Sequence, residues 1–129
     1  IDPAGALVCL QESSMDFAQG DALELLGRDR RRTAIIALGT RILAVALRAA
    51  RDLGLSVPRD LSVIAVGDTD LAAVHTPAIT ALRWSLEDVG RAAAGLLLQR
   101  LQGTGPGQSR ALLPVDLVLR ESCAPPATT

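Results

Sequence analysis

Short apolar runs alternate with longer stretches of helical spacing along this chain, and that alternation predicts an open α/β sheet. Residues 33–38 (Thr-Ala-Ile-Ile-Ala-Leu) and 61–66 (Leu-Ser-Val-Ile-Ala-Val) are apolar runs of strand length. Between them, residues 41–53 put Ile42, Val45, Ala46, Ala49 and Leu53 on one helical stripe and Leu43, Leu47 and Ala50 on its neighbour. Arg41, Arg48, Arg51 and Asp52 take the remainder. An apolar arc that wide predicts a helix covered on two sides, by the sheet and by another body. Strand, helix and strand at this spacing make a βαβ unit, with parallel strands and a right-handed crossover. The stretch 57–66 is the hub: it turns at Pro58, runs as a strand, and ends in the small and polar residues Gly67, Asp68, Thr69 and Asp70. Ligands of open α/β sheets bind beyond the carboxyl ends of the strands.

The rest of the pattern fills in around that unit. Residues 1–6 read as a linker and 7–10 as a short strand. Ser13 or Ser14 caps a helix over about 16–26, with Phe17, Ala22, Leu25 and Leu26 inward and Gly27 as its stop. Residues 68–77 read as an irregular loop and 79–82 as a brief extended piece. Ser85 followed by Asp88 is a capping box with Asp in place of Glu. It opens a helix over 86–102 that turns Leu86, Val89, Ala93, Leu96, Leu97 and Leu101 inward. The glycine-rich stretch 103–107 follows a helix, whereas a phosphate-binding loop follows a strand and opens a helix, so it reads as a breaker. Residues 111–114 and 115–120 are two extended pieces, and 123–129 a disordered tail.

Composition narrows the chemistry. A chain of 129 residues with 49% hydrophobic positions is large enough to bury a core. Phe17 and Trp84 are its only aromatic residues, so that core is built from aliphatic side chains. A net charge of −1 excludes the strongly basic face of a self-sufficient nucleic-acid binder. The run Arg28-Asp29-Arg30-Arg31-Arg32 has no aromatic interleaving and reads as a solvated loop. No apolar run is long enough to span a bilayer. Cys9 and Cys123 lack the spacing of a zinc or redox motif and are expected to be reduced. His75 is the single histidine, with no nucleophile motif to serve, and no catalytic residue is expected. Asp68 and Asp70 have no third ligand near them in sequence, so they read as turn residues or ligand hydrogen-bonders rather than a metal site; neither metal nor cofactor is expected. What remains is a set of strand ends: Gly39 and Thr40, then Gly67 and Asp68, then Arg83 and Trp84. They are a polar platform for a ligand or merely turn residues.

Four segments resemble the bacterial lactose-repressor (LacI/GalR) family in order along the chain. They are Val-Pro-Arg-Asp-Leu-Ser-Val-Ile-Ala-Val-Gly-Asp-Thr-Asp from Val57, Thr-Pro-Ala-Ile-Thr-Ala-Leu-Arg-Trp from Thr76, Glu-Asp-Val-Gly-Arg-Ala-Ala-Ala-Gly-Leu-Leu-Leu from Glu87, and Leu-Leu-Pro-Val-Asp-Leu-Val-Leu-Arg-Glu-Ser-Cys from Leu112. The resemblance implies one lobe of a periplasmic-binding-protein-like fold, a parallel sheet flanked by helices, from the C-terminal part of a two-lobed effector-binding core. Its implied division is 7–82 and 115–122 as second-lobe core, 83–114 as a segment that the family packs on a first lobe, and 123–129 as tail. It further implies a cytoplasmic, homodimeric transcription regulator that binds a small effector, a sugar or nucleobase, between its lobes and reaches DNA only through an N-terminal domain outside this chain. No membrane and no enzymatic activity are implied. Effector contacts fall to Gly39, Thr40, Gly67, Asp68 and Trp84, and dimer contacts to Ile42, Val45, Ala46, Ala49 and His75. Without the first lobe the helix over 86–102 is expected to bury its apolar face on a second copy, by exchange between copies, or at a changed packing angle.

The departures from the family pattern carry information. Gly39-Thr40 stands where the family has Asn-Asp, Ala65-Val66-Gly67-Asp68 where it has Gly-Phe/Tyr-Asp-Asp, and Trp84 where it has Gln. Two polar contacts to sugar hydroxyls are thereby lost, each contributing about 1–3 kcal/mol in a dry site. A less polar effector stacked on Trp84, or a vestigial pocket, follows. A solute-binding transport protein and a doubly wound enzyme are the alternative readings; the missing phosphate loop and acid/base set weigh against the enzyme.

Overall fold

A computed structural model describes residues 19–27, 32–103 and 110–126. The strand predicted at 7–10, the caps Ser13 and Ser14, Phe17, Cys9, the arginines 28–31 and most of the glycine-rich loop lie outside these residues. In chain order the elements are α1 (Gln19–Gly27), β1 (Ala34–Leu38), α2 (Gly39–Asp52), β2 (Ser62–Val66), α3 (Asp70–Val74), β3 (Thr80–Arg83), α4 (Leu86–Gln102) and β4 (Asp116–Val118). The sheet order is β1-β2-β3-β4.

The βαβ expectation holds. β1 and β2 pair in parallel, Ala34 opposite Ser62 through Leu38 opposite Val66, and β2 pairs in parallel with β3. β4 runs antiparallel to β3, with Arg83 opposite Asp116, so the sheet is mixed rather than wholly parallel. The chain leaves β3 at Arg83 and re-enters opposite the same residue, and a chain that returns at the edge it left must run back. Only Asp116–Val118 of the two predicted C-terminal extended pieces becomes strand.

The core lies between the sheet and the α1–α2 layer. Ala22 and Leu26 of α1, Leu43, Leu47, Ala49 and Ala50 of α2, Val63, Ala65 and Ala81 of the sheet, and Leu61 and Ile79 just before β2 and β3 belong to one buried cluster. Each full-sized aliphatic buried there contributes about 1.5–3 kcal/mol by removal from water. Within the chain α2 is covered by the sheet and by α1. Its first turn includes Gly39 and Thr40, two residues earlier than expected. Gly39 has a φ of +81°, so the strand-to-helix corner is built on a residue without a β-carbon.

Before β2 the hub is a tight, self-bonded turn. Asp60 Oδ2 accepts from the Ser56 N–H at 2.9 Å, while the Asp60 and Leu61 N–H groups donate back to the Ser56 carbonyl. This closed loop aims Leu61 and Val63 into the core.

Residues 120–124 form a strap, although disorder is expected from 123 onward; residues 127–129 lie outside the described residues. Arg120, two residues before Ser122, donates its N–H to the Thr80 hydroxyl, and Ser122 itself is fully buried. Its hydroxyl donates to the Val63 carbonyl at 2.5 Å and accepts from the Thr80 N–H at 2.8 Å, while the Val63 N–H donates to the Ser122 carbonyl. Ser62 Oγ donates to the Ala124 carbonyl and accepts from its N–H. The strap thus bridges the starts of β2 and β3, pairing main-chain groups of Val63 and Thr80 that would otherwise lack partners, and Ala124 is held with it by Ser62. Cys123 is an exposed free thiol.

Candidate functional site at the strand ends

The parallel register assembles one polar edge. Leu38 and Val66 are partners, so Gly39-Thr40 and Gly67-Asp68 leave the sheet side by side. Val66 pairs with Leu82, and the Gly67 N–H donates to the Leu82 carbonyl at 3.0 Å, which brings Arg83 and Trp84 to the same edge. A β-carbon placed on Gly67 would lie 3.9 Å from the Trp84 ring, at Cη2. The φ of +108° at Gly67 favours glycine independently of that space. Trp84 is half-buried, Thr40 exposed. Arg83 approaches Asp116 at 3.9 Å, a loose and largely solvated pair.

Asp68 is differently employed. Its Oδ1 lies 2.7 Å from Arg120 Nη2, and the two side chains are 14% and 19% exposed. Arg120 Nη1 also donates to the Ile79 carbonyl at 2.8 Å. The guanidinium therefore ties the loop after β2 to the start of β3, and Asp68 enters the edge with one oxygen already committed. Sequence reasoning missed Arg120, since nothing local marks an arginine 52 positions away as the partner of a strand-end aspartate.

The loop over 68–77 contains a helix, contrary to expectation. Thr69 caps α3, its hydroxyl accepting from the Ala72 N–H, and Ile79 N–H donates to the Ala72 carbonyl. A Thr-Asp pair before Leu-Ala-Ala-Val was the available signal. His75 ends α3, and its Nδ1 lies 2.8 Å from the Pro77 carbonyl; a carbonyl only accepts, so Nδ1 carries the proton. Val74, exposed beside His75, was also missed. Ile42 and Val45 of α2 are half-buried, while Ala46 and Ala49 are buried within the chain itself. Contact with any second body through this helix therefore falls to the first pair.

α4 has the bounds and the Ser85 cap that the sequence predicts, with Ser85 Oγ accepting from the Asp88 N–H at 3.0 Å. Its six inward positions are a correction: the helix holds no buried residue, and Leu86 and Leu101 are 77% and 75% exposed. No described element packs closely enough to cover it. Among the described residues there is no group of three or more potential metal ligands, and no helix is long and apolar enough to cross a membrane.

The mixed sheet with its flanking helices is the architecture of a periplasmic-binding-protein-like domain. Residues 6–123 match the family model described as a periplasmic binding protein-like domain, and the chain belongs to that family. Its relatives are regulators of the LacI class. It is 36% identical over 111 residues to the HTH-type transcriptional regulator MalR of Streptomyces coelicolor, a match covering 86% of this chain and 32% of that one. The crystal structure of a LacI family transcriptional regulator from Bifidobacterium animalis superposes with a TM-score of 0.72 at 33% identity, over 87% of this chain and 42% of that one. The lac repressor dimer bound to operator and the anti-inducer ONPF superposes with a TM-score of 0.69 at 28% identity, over 81% and 36%. The chain thus spans about a third of the length of the MalR regulator.

Proposed function

We propose that this chain is the effector-binding and dimerising region of a cytoplasmic bacterial transcription regulator, and that DNA contact belongs to a separate N-terminal domain. The observation that carries the effector reading is the register, which gathers Gly39, Thr40, Gly67 and Trp84 at the carboxyl ends of neighbouring strands, where open α/β sheets take their ligands. Asp68 contributes from its tethered position. The net charge of −1 supports assigning DNA binding elsewhere. α4 lies in sequence between the paired strands β3 and β4, and its uncovered apolar face supports assigning 83–114 to packing on another lobe. Dimer contact is assigned to Ile42, Val45 and His75, joined by Val74, because α2 packs on α3 and these four keep surface to offer. The reading includes no catalysis and no cofactor.

A thermal-shift panel of sugars, nucleobases and small organic acids tests it. A ligand that binds only the folded chain stabilises it by about 2.7 kcal/mol at a hundredfold excess over Kd, so at least one compound should raise the melting temperature by several degrees. A flat response across a panel of this breadth would remove the effector role.

A further inference from the structure

The polar side chains that follow β2 are largely engaged by the fold itself. Gly67 has none, Asp68 is bound by Arg120, and the Thr69 hydroxyl caps α3. The next carboxylate, Asp70, opens the first turn of α3 and is exposed. What stands over this strand end instead is the Trp84 indole, in van der Waals range of the position a Gly67 side chain would occupy. It is half-buried, and its Nε1–H has no partner among the described residues. Tyrosine is absent and the one phenylalanine lies outside the described residues, so the indole is the only six-membered π-face they offer.

The geometry points to Trp84 as the specificity-determining residue of the strand-end site, and to a ligand that presents a planar π-face, an aryl ring or a nucleobase, rather than hydroxyl groups alone. This rests on the reading of the edge as an effector site. A hydroxyl-only ligand is selected by free carboxylates and amides that pair with it in a dry site, and one oxygen of Asp68 is already committed to Arg120. A flat ring stacks on indole through dispersion and quadrupole alignment, an advantage on the order of tenfold in affinity. Gly67, lacking a side chain, lets the strand end lie against the edge of the indole at Cη2.

Isothermal titration of the 129-residue chain with two matched pairs tests the assignment: phenyl against methyl β-D-galactopyranoside, and adenosine against methyl β-D-ribofuranoside. In at least one pair the planar member should bind about tenfold more tightly and quench the Trp84 emission. Trp84→Leu should abolish that difference, and Trp84→Phe, which keeps a ring, should restore it to within about threefold. Equal binding within both pairs, an advantage that survives Trp84→Leu, or binding of no probe would each overturn the proposal. The broader panel judges the effector reading separately: stabilisation by a non-planar ligand alone would keep that reading and sink this one.

Discussion

α2 and α4 are helices of 14 and 17 residues that both carry apolar side chains on one face, yet they are held in opposite ways. α2 has no side-chain hydrogen bond at its N-terminus and buries Leu43, Ala46, Leu47, Ala49 and Ala50. α4 has a Ser85 cap, a left-handed Gly103 at its C-terminus, and ion pairs from Arg91 to Glu87 and Asp88, and it buries nothing. Packing secures the first, so it tolerates a poor end. Local bonds secure the second: about 1 kcal/mol from the cap and a few tenths from each exposed ion pair. A stripe of leucines thus reports that a face is meant to be covered, without naming the cover.

The sharpest way to break this comparison is to hollow out the packed side. Leu43 is fully buried between α2 and the sheet. Leu43→Ala should cost about 3 kcal/mol through lost transfer energy and a residual cavity, read as a drop in the urea midpoint. A loss below about 1 kcal/mol would mean that the α1–α2 layer is far looser than its burial indicates.

Next in size is the Asp68–Arg120 tether. Arg120→Met removes one half of a mostly buried pair and leaves the Asp68 carboxylate and the Ile79 carbonyl without their donor. Fully buried pairs lose about 3–5 kcal/mol on such truncation, and the residual exposure here reduces the expectation to about 2 kcal/mol. Ser122→Ala should cost a comparable 1–2 kcal/mol or so, because the Thr80 N–H is left buried without an acceptor. Both losses should appear in global unfolding, since both side chains fasten strands of the core sheet.

How much of this was legible in the sequence follows from the range of the interactions. Periodicity is local, so the β1–α2–β2 unit, the bounds of α4 and its Ser85 cap were all readable. The strand ends were readable too, because a parallel register follows from the crossover. The short α3 escaped: a single helical turn gives too few residues for a periodic signal. Arg120 and the Ser122 strap escaped because their partners are 40 to 60 positions away and their geometry exists only after β2 and β3 are in place. The reversed direction of β4 depended on where the chain returned from its excursion, which apolar patterning does not encode.

On the α4 side the effects should shrink and change character. Ser85→Ala removes the hydrogen bond to the Asp88 N–H and should cost about 1 kcal/mol of local helix stability. Because α4 is not packed into the core, that loss should show as reduced helical circular dichroism and faster amide exchange at the start of α4, with the urea midpoint of the core unchanged. A shift of the midpoint equal to the local loss would show that α4 unfolds together with the sheet.

The smallest effect on stability is the most discriminating. Leu97 is 59% exposed and Leu101 lies one turn further on the same stripe. Leu97→Glu combined with Leu101→Glu should therefore leave the unfolding free energy of the dilute chain within about 0.5 kcal/mol, as surface substitutions do. The same pair should change association, because a contiguous exposed stripe promotes it. Sedimentation velocity should find the parent chain self-associating as its concentration rises and the double variant shifted toward the monomer. If the parent stays monomeric throughout, the stripe is not used between copies. If the dilute variant instead loses several kcal/mol, α4 packs on its own chain in solution, and its difference from α2 is one of degree.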